Sequence, residues 1–339
     1  MKKLATGVHA LVAGMLAAAL AGCGGGGGSS DGGGSGSTGS SSGATSGYVL
    51  FATDINNVTI AAFTTADPTA GQSLAVRIVK TNEGGTGIAY DAVRDDLYAM
   101  RVAIDLPAVT IDVFAHASKM ASGAAPARTI QVTGLADLDN SIGLDTTRDE
   151  LWIGGLGSSN SNAPGRLVVL ARASTLNGSA VPTRDIQGLP SFMTFPHDRV
   201  HDTLYLAGGG VIHGVYVFAN ASALVSSTAP TRMIDGVDGS GTYLMTVDER
   251  RDILYLPDVS AGLGIVRNAS TATQSITTLQ FPSATPCLTA VVDGPHDRLY
   301  VGAPTNAFVF DNASGLTSAS TVPAVTVRAD GASIFSFAF

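Results

Sequence analysis

The chain has 339 residues, 45% hydrophobic, 14% charged and 6% aromatic, with 19 Lys and Arg against 27 Asp and Glu for a formal net charge of -8. So mild an acidic excess excludes both a basic nucleic-acid footprint and an acidic disordered chain, and no nucleic-acid partner is expected. The residues after Gly47 are enough to bury a full core, as one large all-β domain or two average ones.

Met1 is followed by Lys2, Lys3 and an apolar run through Leu11, Val12, Met15 and Leu16 to Ala19. A short basic start and an apolar stretch too short to span a membrane comfortably predict an export signal over residues 1–22. The stretch ends in Leu20-Ala21-Gly22-Cys23, which resembles a bacterial lipobox and implies that Cys23 carries the lipid. Each buried CH₂ contributes roughly 0.8 kcal/mol, so several acyl chains on one residue anchor firmly where one chain would be marginal. The next residue is Gly24 rather than an Asp, and the resemblance then implies outer-membrane delivery, with the domain facing the periplasm or the cell surface. Residues 23–47 add a tether of Gly and Ser with Asp31 its only charge. Such a coil reaches about 27 Å at about 5–6 Å × √n. With Cys23 taken by lipid, Cys287 has no partner in the chain, and it is expected to be a buried small apolar residue.

Residues 48–339 carry an internal repeat. Asp91-Ala92-Val93-Arg94-Asp95-Asp96-Leu97-Tyr98 recurs as Asp145 with Arg148-Asp149 and Leu151-Trp152, and as Asp198 with His201-Asp202 and Leu204-Tyr205. It returns as Asp248 with Arg251-Asp252 and Leu254-Tyr255, and as Asp293 with His296-Asp297 and Leu299-Tyr300. The pattern is Asp-x-x-Arg/His-Asp-x-Leu-aromatic, at spacings of 45 to 54 residues. A second signature follows each time, as in Phe114-Ala115-His116-Ala117-Ser118 and Phe310-Asp311-Asn312-Ala313-Ser314. A third, Pro126-Ala127-Arg128, Pro182-Thr183-Arg184 and Pro230-Thr231-Arg232, fades in the later units.

Within each unit, short apolar or alternating runs such as Leu151-Trp152-Ile153 and Leu167-Val168-Val169-Leu170 sit between turn residues. They predict four strands, a to d from the hub outward, and four-strand units repeated in series are the mark of a β-propeller. The stretch before the first full repeat supplies three strands, Tyr48 to Thr53, Val58 to Phe63 and Leu74 to Val79, and Ser333 to Phe339 supplies one more. The expectation is an all-β, six-bladed β-propeller, with seven blades as the alternative, closed by pairing of its N- and C-terminal strands.

Asp-x-x-Arg-Asp-x-Leu-Tyr followed by Val-x-Val-Phe resembles the NHL and YVTN-type propellers of bacterial extracytoplasmic proteins. The resemblance implies a propeller that acts either as a binding or scaffold module for an envelope protein, a glycan or a small ligand, or as a lactonase-like hydrolase. In the second case a divalent metal at the hub would be held by Glu, Asn and Asp. The chain has only Glu83, Glu150 and Glu249, and the last two fall inside the repeated turn, so the binding module is favoured and no catalytic residue is assigned.

The repeated corners, Asp91 and Asp95, Asp145 and Asp149, Asp198 and Asp202, Asp248 and Asp252, Asp293 and Asp297, are expected to be structural. The first Asp can accept backbone N–H bonds across the a–b turn, as in Asx-turns, while the Arg or His and the second Asp complete the corner. The a–b and c–d turns share one face of a propeller, so the irregular b–c and d–a loops share the other. The candidate ligand face there comprises Glu83, Arg101, Asp137, Asp139, Asn140, His213, Asp238 and Asp258. No cofactor is expected beyond a divalent cation such as Ca²⁺, for which carboxylates round one mouth supply oxygen ligands.

Overall fold

The computed structural model describes residues 48–54, 59–65, 76–80, 87–101, 108–135, 141–156, 164–207, 214–236, 244–258, 262–274, 276–279, 281, 287–303, 306–318, 325–328 and 334–338. In chain order the strands begin with β1 (Tyr48–Asp54), β2 (Thr59–Thr65) and β3 (Val76–Lys80). A first blade follows: β4 (Ile88–Asp91), β5 (Asp96–Arg101), β6 (Ala108–Ala115) and β7 (Arg128–Thr133). The second holds β8 (Ser141–Asp145), β9 (Glu150–Leu156), β10 (Gly165–Ala171) and, after the short β11 (Gly178–Ala180), β12 (Arg184–Leu189). The third holds β13 (His197–Asp198), β14 (Thr203–Leu206), β15 (Gly214–Ala219) and β16 (Arg232–Asp235). The fourth holds β17 (Thr246–Asp248), β18 (Ile253–Asp258), β19 (Gly262–Arg267) and β20 (Ile276–Leu279). The fifth holds β21 (Thr289–Asp293), β22 (Arg298–Gly302), β23 (Asn306–Asp311) and β24 (Val325–Arg328), and β25 (Ile334–Ala338) ends the chain. All belong to one compact unit, Tyr48–Phe339.

Neighbouring strands within each blade pair antiparallel in chain order, as short hairpin connections dictate. The architecture corrects the expected one. It is an all-β propeller, but five blades, not six or seven, are wound each from one continuous stretch of chain, and no sheet closes on itself. The remaining sheet is a composite of both chain ends in the order β25-β1-β2-β3, with Phe51 opposite Ala338 and Ala52 opposite Phe337. It differs from the blades for a simple reason: its two innermost strands come from opposite ends of the chain, so it has no a–b turn and carries none of the repeated signature. The blades are not uniform either. The first gains a fifth strand, because Gly178–Ala180 runs parallel to Ile130–Val132 along its outer edge.

The core lies between sheets. On the second strand of each blade the Leu and the aromatic residue point to opposite faces, as strand geometry requires. Leu97 packs with Phe51 and Ile60 of the composite sheet. Tyr98, its neighbour, packs with Leu151, Val168 and Leu170 of the second blade. Trp152 then joins Leu204 and Phe218 of the third, Tyr205 joins Leu254 and Val266 of the fourth, and Tyr255 joins Leu299 and Phe310 of the fifth. Burial on both faces explains why middle strands such as Leu167-Val168-Val169-Leu170 read as unbroken apolar runs. Cys287 is buried in the joint between the fourth and fifth blades.

Candidate functional site

The most ordered polar chemistry lies in the repeated corners. The first Asp of each corner is buried, between 0% and 3% exposed. Its Oδ1 accepts one or two backbone N–H bonds from the residues two and three positions on, at 2.9–3.3 Å. Its Oδ2 meets the Arg or His three positions on, at 2.7–2.9 Å. An ionised carboxylate buried in this way is stable only because charged and backbone donors surround it.

The second Asp has a left-handed backbone, φ 49–58°, which Asp and Asn tolerate better than most residues. Its carboxylate clamps the c–d turn of its own blade. Oδ1 accepts the backbone N–H of Ser118, Ser174, Ser222, Ser270 or Ser314 at 2.7–2.9 Å, and Oδ2 accepts the same serine's hydroxyl at 2.6–2.8 Å. The rest of the second signature follows from this clamp. His116, Arg172, Asn220, Asn268 and Asn312 are also left-handed, and the alanine after each is fully buried and donates its N–H to the clamping Asp's carbonyl at 2.8–3.0 Å.

The third signature ties each blade to the next. Arg128 Nη1 donates to the Ala173 and Leu176 carbonyls at 2.9 Å, and Arg184 Nη1 to those of Ala221 and Ser222 at 3.2 and 2.8 Å. Arg232 reaches the Ala272 and Ala269 carbonyls. Where the signature fades, Arg267 at the end of β19 takes the part and donates to the Ser314 and Leu316 carbonyls. Sequence reasoning missed Arg267 because it lies on the third strand instead of the fourth and follows no proline.

Charge is also shared across joints. Arg148 lies 2.8 Å from Asp145 and 3.7 Å from Asp202 of the next blade, and Arg251 lies 2.9 Å from Asp248 and 3.7 Å from Asp297. Arg199 bridges Glu249 at 2.8 Å and Thr146 at 2.9 Å, and so touches both neighbouring blades. Among the described residues His197 stands apart. Its ring lies against Trp152, with centroids 4.6 Å apart and planes tilted by 32°, and its side chain is 8% exposed, yet neither nitrogen has a hydrogen-bond partner. Asp145 and Asp202 are 4.0 and 3.7 Å away, and burial outweighs their charge and pushes the imidazole below its usual range.

Of the candidate ligand face, Arg101 is described. It ends β5 and is engaged within its own blade: Nε lies 2.9 Å from Asp112 Oδ2 without hydrogen-bond alignment, and Nη2 donates to Oδ1 at 3.3 Å. Thr129 also donates to Asp112 Oδ1, at 2.9 Å, so the sequence omitted two members of this cluster. Asp258 ends β18 with its backbone opposite Gly262. Glu83, Asp137, Asp139, Asn140, His213 and Asp238 lie outside the described residues, as does Cys23. No helix among the described residues is long and apolar enough to cross a membrane.

No family model and no curated protein matches the chain. Solved structures do: a chain from a crystal structure of a nidogen/laminin complex superposes with a TM-score of 0.55 at 12% identity, over 86% of this chain and 97% of that one. Identity that low speaks for the fold alone. Together with the blade topology it makes residues 48–339 a β-propeller domain, the level at which the likeness to NHL and YVTN propellers holds.

Proposed function

We propose that this chain is a lipid-anchored protein of the outer membrane whose propeller binds an envelope protein, a glycan or a small ligand through its b–c and d–a loops. One observation carries the reading: the carboxylates that recur in every blade are occupied by turn N–H groups, serines and cations of the fold itself. Polar residues spent on the fold are poorly placed for catalysis, and loops on a rigid scaffold are where recognition usually lies. The lipobox-like Leu20-Ala21-Gly22-Cys23 and the Gly/Ser tether after it support the anchoring half.

Anchoring is tested by growth with radioactive palmitate. Wild type should take up label and partition into detergent, and Cys23→Ser should do neither; an unlabelled wild type rejects the anchor. Binding is tested by probing the full chain on glycan and peptide arrays. A specific signal should be lost in the combined Glu83→Ala, Asp139→Ala, His213→Ala variant. Turnover of a lactone by wild type would replace the binding reading with the hydrolase one.

A further inference from the structure

We infer that the joint between the third and fourth blades binds one divalent transition-metal ion, Zn²⁺ in type, through Asp198, His201 and Asp252. The argument rests on what replaces an arginine there. At the joints on either side, Arg148 and Arg251 each lie against two carboxylates, the first Asp of their own blade and the second Asp of the next. A guanidinium spans such a pair because its fork is wide and its charge permanent. At the third–fourth joint the same sequence position holds His201. Its Nδ1 meets Asp198 Oδ2 at 2.7 Å, and the narrower imidazole leaves Asp252 with its Ser270 clamp. His201 thus pairs with the carboxylate of its own blade, whereas Arg148 and Arg251 each reach the second carboxylate across the joint as well.

The ligand atoms of Asp198, His201 and Asp252 all lie within 4.8 Å of one another, close enough to converge on one ion. A second observation points into the same joint. Tyr205 is fully buried and its hydroxyl has no hydrogen-bond partner. Tyr205 packs in this joint with Leu254 and Val266 of the fourth blade, and burial, with the charges of Asp198 and Asp252 added, pushes its hydroxyl up. In the first blade the equivalent Tyr98 hydroxyl is satisfied by Arg128 at 3.1 Å, whereas Arg232 turns to the Ala269 and Ala272 carbonyls and leaves Tyr205 unserved. A water on a bound ion would supply what Tyr205 lacks. Tyr255 is also unpaired, but its joint already holds Arg251.

One imidazole nitrogen with two carboxylate oxygens and an open position suits Zn²⁺ at about 2.0–2.2 Å and disfavours Ca²⁺ and Mg²⁺, which take oxygen ligands alone. Binding displaces the proton shared by Nδ1 and Oδ2 to solvent. The His201 side chain is 36% exposed, so the ion has a route in. Once seated, the ion ties the third blade to the fourth as arginine ties the neighbouring pairs.

The full chain is stripped with chelator, dialysed and assayed by metal analysis and thermal melting with Zn²⁺ or Ca²⁺. Wild type should hold one Zn²⁺ per chain, and its melting temperature should rise about 5–10 °C at a zinc concentration 100-fold above the dissociation constant. His201→Arg should lose both while melting no lower than stripped wild type, because it restores the guanidinium of the sister joints. His201→Gln removes the ligand without adding charge and should lose both as well. A wild type without stoichiometric zinc, variants that retain it, or an equal response to Ca²⁺ would each overturn the site.

Discussion

At the scale of single residues, the corners show how one carboxylate does two jobs. Asp145 takes the N–H groups of Thr147 and Arg148 and also the Arg148 guanidinium, so its loss removes the one buried acceptor that holds all three donors of the turn. Asp145→Ala should therefore cost about 1–3 kcal/mol in urea unfolding, while Asp139→Ala, in a stretch that the repeat does not share, should cost close to nothing. The reverse ranking would show that the corner is not what holds the turn. Asp149 gives a finer test because its φ is 54°. Asparagine keeps both the left-handed backbone and one acceptor for Ser174, whereas valine keeps neither. Asp149→Val should lose more stability than Asp149→Asn, and equal losses would mean that neither backbone nor clamp matters.

At the scale of elements, the blades are tied by carbonyl-seeking arginines as well as by apolar packing. Arg184 also lies over the Trp152 ring at 4.7 Å and meets Glu150 at 3.1 Å, so its stem and head both serve the second blade while its fork serves the third. Arg267→Ala should destabilise as Arg184→Ala does, by roughly 1.5–3 kcal/mol for a charged donor lost from carbonyl partners. A neutral Arg267→Ala would show that the fourth and fifth blades need no such tie. The four-strand periodicity and the corner motif were readable in sequence because each blade solves the same turn with the same residues. The composite sheet was counted as a blade like the rest because its strands are spaced correctly, but it carries no corner, since the chain's two ends meet where a turn would be. Arg267 and the parallel Gly178–Ala180 strand escaped notice because each is a solution used once, and period reading sees only what recurs. Most of the candidate ligand face lies in loops that differ between units, and sequence difference alone fixes no geometry.

At the scale of the whole molecule, the carboxylate network makes stability depend on pH with a definite sign. In Asp95, burial pushes the carboxyl up, but the Ser118 backbone and hydroxyl and the Tyr90 hydroxyl together hold it below the ordinary carboxylate range. Burial likewise raises Asp145, and the Arg148 backbone and guanidinium, with His197 and the Thr147 N–H, bring it lower. Asp185 is held down chiefly by the Arg166 guanidinium. A group whose folded pKa lies below its unfolded value near 3.9 binds fewer protons folded than unfolded in the interval between the two. Stability then rises with pH across that interval, is complete above it, and is lost as pH falls through the folded value. The chelator-treated chain should accordingly lose melting temperature as pH falls below about 4, where Asp95, Asp145 and Asp185 take up protons on unfolding. The double variant Asp95→Asn, Asp145→Asn should melt lower than wild type at pH 7 yet fall less on acidification, because two of the linked carboxylates are gone. Wild type that gains stability as pH falls below about 4, or a double variant with the full acid slope, would mean that the corners do not set the acid limit of the fold.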